Sequence, residues 1–284
     1  MRRLLQILGF TVLLLSGSFV LLMPSTTVSI ALAQLGRPEG LYYKSWAIII
    51  GIENYVLSPS IPGAIDDAKK VAQAFRQLGF EEVVELYDRD ATFRRLHQVL
   101  KDMLPRKVGR MDRLVIFYVG HAGVAQDADG TDRSYLVPLD AQIDSVAKSV
   151  TVEDLKDFTR RSASKHTLLI LDAPVFGWET TAPQQLSLEG RHAPEAEMDR
   201  RAVQVITAAD KGEMSVRSGG KSSFVQALLT GLAGEADLNK NGWLMASELG
   251  TYLVQKVNAT SNGKQHPTSL RIDGNGDAVL VEGR

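Results

Sequence analysis

The feature that most constrains the fold is an alternation of short, continuous apolar runs with amphipathic stretches. Trp46 to Ile52 (WAIIIGI) is rich in β-branched residues and suits a strand buried on both faces. Ile65 to Leu78 sets Ile65, Ala68, Val71, Ala72, Phe75 and Leu78 on one helical face, and Gly79 supplies a stop. Val83 to Tyr87 predicts a second strand, and Ala91 to Leu104 a second helix that Pro105 ends. Arg113 to Val119 (RLVIFYV) predicts a third strand, running straight into Gly120-His121-Ala122-Gly123. A short helix at Val152 to Arg160, a fourth strand at Thr167 to Leu171 and a fifth at Ala202 to Thr207 follow. Strands that alternate with helices predict a parallel sheet covered on both faces. Ligands of such sheets sit beyond the carboxyl ends of the strands. The segments from His121 and from Asp172 onward are therefore the expected place for chemistry.

The first 33 residues read as an export segment rather than as part of this fold. Arg2 and Arg3 precede a nearly all-apolar stretch from Leu4 to Met23, and Ala31-Leu32-Ala33 offers a small-x-small cleavage site. Two readings stay open, a cleaved signal peptide or an uncleaved anchor of about 20 apolar residues. Both place the rest of the chain outside the cytoplasm, periplasmic or extracellular, with membrane contact only through an uncleaved segment. Loss of the segment takes the formal charge from −1 to −3. That balance gives no footing for nucleic acid as a partner. The chain contains no cysteine, which excludes disulfides, thiolate metal sites and a thiol nucleophile of its own.

Six segments in order carry a resemblance to a known family. Trp46-Ala-Ile-Ile-Ile-Gly-Ile-Glu-Asn-Tyr55, Gly63-Ala-Ile-Asp-Asp-Ala-Lys-Lys-Val-Ala72, Phe117-Tyr-Val-Gly-His121, Leu169-Ile-Leu-Asp-Ala173 with Gly177, Gln204-Val-Ile-Thr-Ala-Ala209, and the run from Glu213 through Ser223-Phe224 to Glu248 resemble the caspase-like peptidases, including bacterial metacaspases. The resemblance spans about residues 42 to 282. It implies a three-layer α/β sandwich with a mostly parallel six-stranded sheet, divided into a large-subunit-like part at 46–177, an exposed linker at 178–201 and a small-subunit-like part at 202–284. A linker at 34–45 precedes it.

The resemblance also implies acyl transfer by a Cys thiolate with a His managing the protons. The His position is His121, but the Cys position falls on Pro174. Proline brings neither a nucleophile nor a backbone N–H, so an oxyanion donor goes with the attacking atom. Ala122 stands where the family has Gly, and would resist a positive φ if that turn needs one. Ser162 and Ser164 precede the fourth strand and belong at its opposite end. Thr180 and Thr181 lie beyond Pro174 with no reason to meet His121. His121 is then either a packed remnant or a ligand-binding group. Asp172 matches an acid that in metacaspases receives a basic substrate side chain; its other reading is a strand-end Asp bonded to backbone N–H groups. His97, His166, His192 and His266 show no spacing of metal ligands.

Near the C-terminus, Asp237 to Glu248 fits a twelve-residue EF-hand loop, flanked by amphipathic stretches at Ser223 to Ala233 and Ala246 to Val257. Asp237, Asn239 and Asn241 fall at positions 1, 3 and 5, Gly242 at 6, the Trp243 carbonyl at 7 and Glu248 at 12. With two charged ligands, calcium binding would be weak. The competing reading is a helix–turn–helix connector in which Glu248 caps the second helix. Asp273-Gly-Asn-Gly-Asp277 predicts a hairpin turn between two terminal strands, since position 12 of a calcium loop there would be Arg284. The expected function is an exported pseudopeptidase that binds peptides or protein partners, a basic side chain being the ligand that the binding reading of Asp172 would take. The alternatives are an endopeptidase completed by a partner or by displaced chemistry, and a calcium-responsive interaction module.

Overall fold

Each strand of the central sheet grows from an apolar run that can be buried on both sides. In the computed structural model, which describes residues 40–126, 129–178, 184–185 and 198–282, β1 (Ser45–Gly51) is buried along its whole length. Gly63, at φ 84°, leads into α1 (Ala64–Gln77). A Cβ there would meet the Gly220 carbonyl oxygen at 1.9 Å, so space and backbone angle both require glycine. β2 (Glu82–Tyr87) follows. A 3₁₀ turn at Asp88–Asp90 leads to α2 (Phe93–Gln98), which Thr92 caps by accepting from the Arg95 N–H.

Pro105 does not end this helical run. A π-turn at Val99–Met103 resets the hydrogen-bond ladder, and Pro105 falls in the first turn of α3 (Leu104–Lys107), where its missing N–H costs nothing. β3 (Arg113–Val119) is buried throughout and has the predicted bounds. Beyond it, β4 (Ala122–Gln126), β5 (Asp132–Leu136) and β6 (Val150–Thr151) form a small antiparallel sheet where the sequence suggests a turn-rich excursion. α4 (Val152–Arg161) starts on a capping box between Thr151 and Asp154. β7 (His166–Asp172), the two-residue β8 (Gln184–Gln185) and β9 (Ala202–Thr207) come next. A tight hairpin, β10 (Arg217–Ser218) and β11 (Lys221–Ser222), precedes α5 (Ser223–Thr230) and a π-turn at Gly231–Glu235. β12 (Leu244–Met245), α6 (Ala246–Thr260), β13 (Thr268–Gly274) and β14 (Val279–Val281) complete the chain.

The main sheet runs β2-β1-β3-β7-β9-β13-β8. The first five strands are parallel, β13 is antiparallel to β9, and β8 adds an antiparallel edge. Strand alternation feeds two cores. Ala47, Ile49, Phe117 and Ile170 pack with α1, α5 and α6; Ile48, Ile116, Leu169 and Leu171 pack with α2, the π-turn, α3 and α4. The result is the expected three-layer α/β sandwich with a mostly parallel six-stranded sheet, plus the short edge strand.

The predicted terminal hairpin is not formed. β13 pairs with β9 and β8, while β14 pairs with β12, so Asp273 to Asp277 joins two different sheets. Gly274 has φ 75° as a turn demands, but the choice of strand partner is non-local. Residues 1–33, Thr180, Thr181, His192, Arg284 and most of the 178–201 linker lie outside the described residues. Among the described residues no helix is long and apolar enough to cross a membrane.

Candidate functional site

The parallel register of β3 and β7 pairs Val119 with Asp172. His121 and Pro174 each lie two residues past that pair, so the structure brings both to the carboxyl edge of the sheet together with Asp172. Ser162 and Ser164 sit at the other end, where Ser164 Oγ bonds Ser162 Oγ at 2.8 Å and Thr167 Oγ1 at 2.5 Å.

His121 is held on every side. Its backbone N–H donates to Tyr55 Oη at 2.8 Å, and its carbonyl accepts from Tyr118 Oη at 2.6 Å and the Val137 N–H at 3.0 Å. The imidazole lies 4.7 Å from the Tyr55 ring, centroid to centroid. Its Nε2 is 2.8 Å from the Pro59 carbonyl oxygen. A carbonyl only accepts, so Nε2 carries the proton and Nδ1 is the basic nitrogen. Burial pulls the His121 pKa below its ordinary value, and the Pro59 bond opposes that shift. Gly120 makes the close packing possible, since a Cβ would come within 2.5 Å of both tyrosine hydroxyl oxygens. Tyr55 is placed in turn by Asp88, whose carboxylate accepts from the Glu53 and Asn54 N–H groups and from Asn54 Nδ2. Ala122 opens β4 and has no positive φ, so the turn after His121 never needed glycine.

The backbone after Asp172 is closed on itself. Pro174 has no N–H, the Val175 N–H donates to the Ala173 carbonyl at 2.9 Å, and Phe176 exchanges hydrogen bonds with Ser134 Oγ at 2.6 and 2.9 Å. No N–H from 174 to 176 is left to hold an oxyanion. A recess of about 180 Å³ adjoins this segment, lined by Phe176, Trp178, Asp210 and Leu270 among others.

Asp172 is 3% exposed and belongs to a buried polar cluster that the sequence reading did not assemble. Arg217, from the β10–β11 hairpin, places Nη2 2.6 Å from Asp67 Oδ2 and Nη1 3.7 Å from Asp172 Oδ2. Asp67 also accepts from the Ser222 N–H at 3.0 Å, and Arg217 Nη2 donates to the Gly220 carbonyl at 2.8 Å. Both oxygens of Asp172, Asp67 Oδ1, Ser215 Oγ and Arg217 Nε are buried without a hydrogen-bond partner. The Ser215 and Ser222 hydroxyls lie close to Asp172 but do not complete bonds of good geometry. Burial pushes the Asp172 pKa up to about 6; the nearby hydroxyls and Arg217 lower it, and the Asp67 charge raises it. The expectation of a strand-end Asp bonded to backbone N–H groups therefore fails, because no such bond is made.

The other candidates lie apart. His97 packs on Phe93, His166 begins β7, and His266 pairs with Glu213. Among the described residues no group of three His, Cys, Asp or Glu side chains could hold a metal ion. The Asp237–Glu248 loop borders the C-terminal half of α1, away from the His121 edge. Asp67, Arg217, Ser215 and Tyr55 were missed as site residues, for Arg217 and Asp67 stand 150 residues apart in sequence.

No curated protein matches the chain. Among solved structures it is similar to protein GSU0716 from Geobacter sulfurreducens, with a TM-score of 0.56 and 13% identity over 80% of this chain and 93% of that one. At that identity the likeness concerns the fold alone. Residues 44–273 match the sequence pattern of the caspase domain, and the chain belongs to that peptidase family.

Proposed function

We propose that this chain is a non-hydrolytic, exported caspase-family protein that binds a peptide or protein partner through a basic side chain at Asp172. One observation carries the reading: the chain has no cysteine, and Pro174 stands where the family resemblance puts the nucleophile. The surroundings support it. Pro174 lacks an N–H, the next two N–H groups are used within the fold, and His121 has its Nε2 committed to Pro59. Loss of a nucleophile alone costs orders of magnitude in rate.

The binding half rests on the cluster at Asp172. Two buried carboxylates surround a single guanidinium, and that guanidinium favours Asp67 by more than 1 Å over Asp172. Asp172 is the under-neutralised partner. An incoming Arg or Lys that displaces Arg217 from its looser contact gains a charge-assisted hydrogen bond, worth about 1.5–3 kcal/mol. The test compares an Arg-containing peptide with its norleucine analogue by fluorescence polarisation, in wild type and in Asp172→Asn. The Arg peptide should bind more tightly to wild type, and the variant should lose that preference. Neither peptide should be cleaved. Cleavage, or equal binding of the two peptides by wild type, overturns the reading.

A further inference from the structure

The loop between the α5 helical run and α6 stands apart from the edge that carries the proposed peptide site. Its backbone is already shaped around a centre. Lys240 has φ 58° and Gly242 φ 84°, two left-handed residues that fold Asp237 to Trp243 into a tight coil. Asp237 accepts from the Asn241 and Gly242 N–H groups at 3.2 and 2.9 Å, Asn239 Oδ1 accepts from Asn241 at 3.0 Å, and Asn241 Oδ1 accepts from Trp243 at 2.8 Å. Turns of this kind also occur in plain connectors, so they decide nothing by themselves.

Glu248 decides it. The residue is 2% exposed, on the first turn of α6, and only one of its oxygens serves the fold: Oε2 accepts from the Met245 N–H at 3.1 Å. Oε1 is buried with no partner. The Asn239 N–H approaches the same carboxylate without completing a hydrogen bond of good geometry, and the Asp237 charge acts on it, so the group faces into the loop. If Glu248 were only a helix cap, Oε2 would suffice. Burying a carboxylate oxygen against a second carboxylate is costly without a cation between them.

We infer that Asp237, Asn239, Asn241, the Trp243 carbonyl and Glu248 form a binding site for calcium. The donors are all oxygen, four of them from side chains, which suits a hard cation and excludes a zinc-type site. Only Asp237 and Glu248 carry charge, so affinity belongs at the weak end of the range for such loops, about 10⁻⁴ to 10⁻³ M. Magnesium, which demands a tight octahedron at about 2.1 Å, fits a twelve-residue loop with a bidentate Glu less well.

The site is wired to the sheet. β12 follows directly on Trp243 and pairs with β14, with Leu244 opposite Val281. The Val279 and Leu280 carbonyls of β14 accept from Arg113 Nη1 at 2.7 and 3.3 Å, at the first residue of β3. Bound calcium would therefore steady the α6 N-terminus and β14 together, and binding is expected to raise the melting temperature by a few degrees at 10 mM calcium, about ten to a hundred times the expected Kd.

The experiment is a calcium titration of the full chain by calorimetry, with thermal melts and with terbium luminescence excited through tryptophan. Wild type should give saturable heat and a melting shift that magnesium at equal concentration does not reproduce. Trp243, at the seventh position, should sensitise terbium, and Trp243→Phe should abolish that emission. Glu248→Gln keeps an oxygen for the Met245 N–H but removes the charge; it should weaken calcium at least tenfold. Should that variant not fold, Asp237→Asn, which still accepts from Gly242, serves the same comparison. No heat and no melting shift up to 10 mM, or wild-type affinity in the variant that folds, overturns the inference. Loss of peptide binding at Asp172 would leave it standing.

Discussion

β7 begins and ends on a buried titratable residue, and its two ends are built on opposite terms. At the amino end, His166 Nδ1 accepts from Tyr42 Oη at 2.5 Å, and Nε2 donates to the Arg200 carbonyl at 2.8 Å. Tyr42 Oη accepts in turn from the Val279 N–H at 3.0 Å. Arg113 beside them gives Nε to Ser45 Oγ and Nη1 to β14, and stacks over the Phe80 and Tyr42 rings. At the carboxyl end, the comparable arginine leaves Nε unpaired, and Asp172 completes no hydrogen bond of good geometry. Polar groups that complete a fold are normally matched. The amino end obeys that rule and reads as architecture. The carboxyl end breaks it at five buried atoms, on the edge where sheets of this kind bind ligands.

The contrast is broken most forcefully by Arg217→Ala. The substitution leaves Asp67 and Asp172 buried with no cation, and a loss of about 3–5 kcal/mol is expected at neutral pH. Denaturant unfolding measures it, and the loss should shrink toward pH 5 as the stranded Asp172, already raised by burial, takes up a proton. A loss below 1 kcal/mol at pH 7.5 would mean that the cluster is open to water.

Next in size is the pH response, where the two ends should behave oppositely. Asp172 rises from 3.8 to about 6 on folding, so the folded state holds its proton more tightly. Stability from this group falls as pH climbs through that window, and the penalty, about 3 kcal/mol for a shift of this size, is complete above it. His166 falls from 6.5 to about 4 through burial, with the Arg200 bond opposing. Its contribution of similar size is present above 6.5 and lost as pH falls toward 4. Asp172→Asn should therefore stabilise the protein at pH 7.5, with the gain vanishing below pH 4. A destabilised Asp172→Asn at pH 7.5 would show that the contact with Arg217, though 3.7 Å long, outweighs the burial.

Much of the amino-end architecture could be read from sequence, because continuous β-branched runs leave little choice. Arg113–Val119 and Ala202–Thr207 have the bounds their composition predicts. The carboxyl edge was legible as a place, since strand ends after β3 and β7 had to lie side by side. Its contents were not. Arg217 sits in a short Ser-Gly-Gly-Lys hairpin that reads as a surface turn, and only the tertiary fold brings it to Asp67. Pro105 misled for a related reason: a local rule for ending helices holds only until a π-turn shifts the ladder. The Asp273 to Asp277 turn shows the same limit, for its residues specify a bend and say nothing of which strands it joins.

The smallest expected effect tests whether His121 belongs with the matched groups or the unmatched ones. Tyr55→Phe removes the hydroxyl that accepts the His121 N–H and lies 3.3 Å from Tyr118 Oη, while the aromatic ring stays in place. A loss of about 1–2 kcal/mol follows from one unsatisfied N–H in a half-buried position. The imidazole itself should be undisturbed, because burial lowers its pKa and Pro59 holds its Nε2, and neither depends on the Tyr55 oxygen. An NMR titration of His121 in the variant should thus still fall below 6.5. If it returned to that value, the phenol would be what keeps water from the ring. His121 would then be poised by a single removable contact, as Asp172 is by Arg217, and would join the unmatched set at the edge of the sheet.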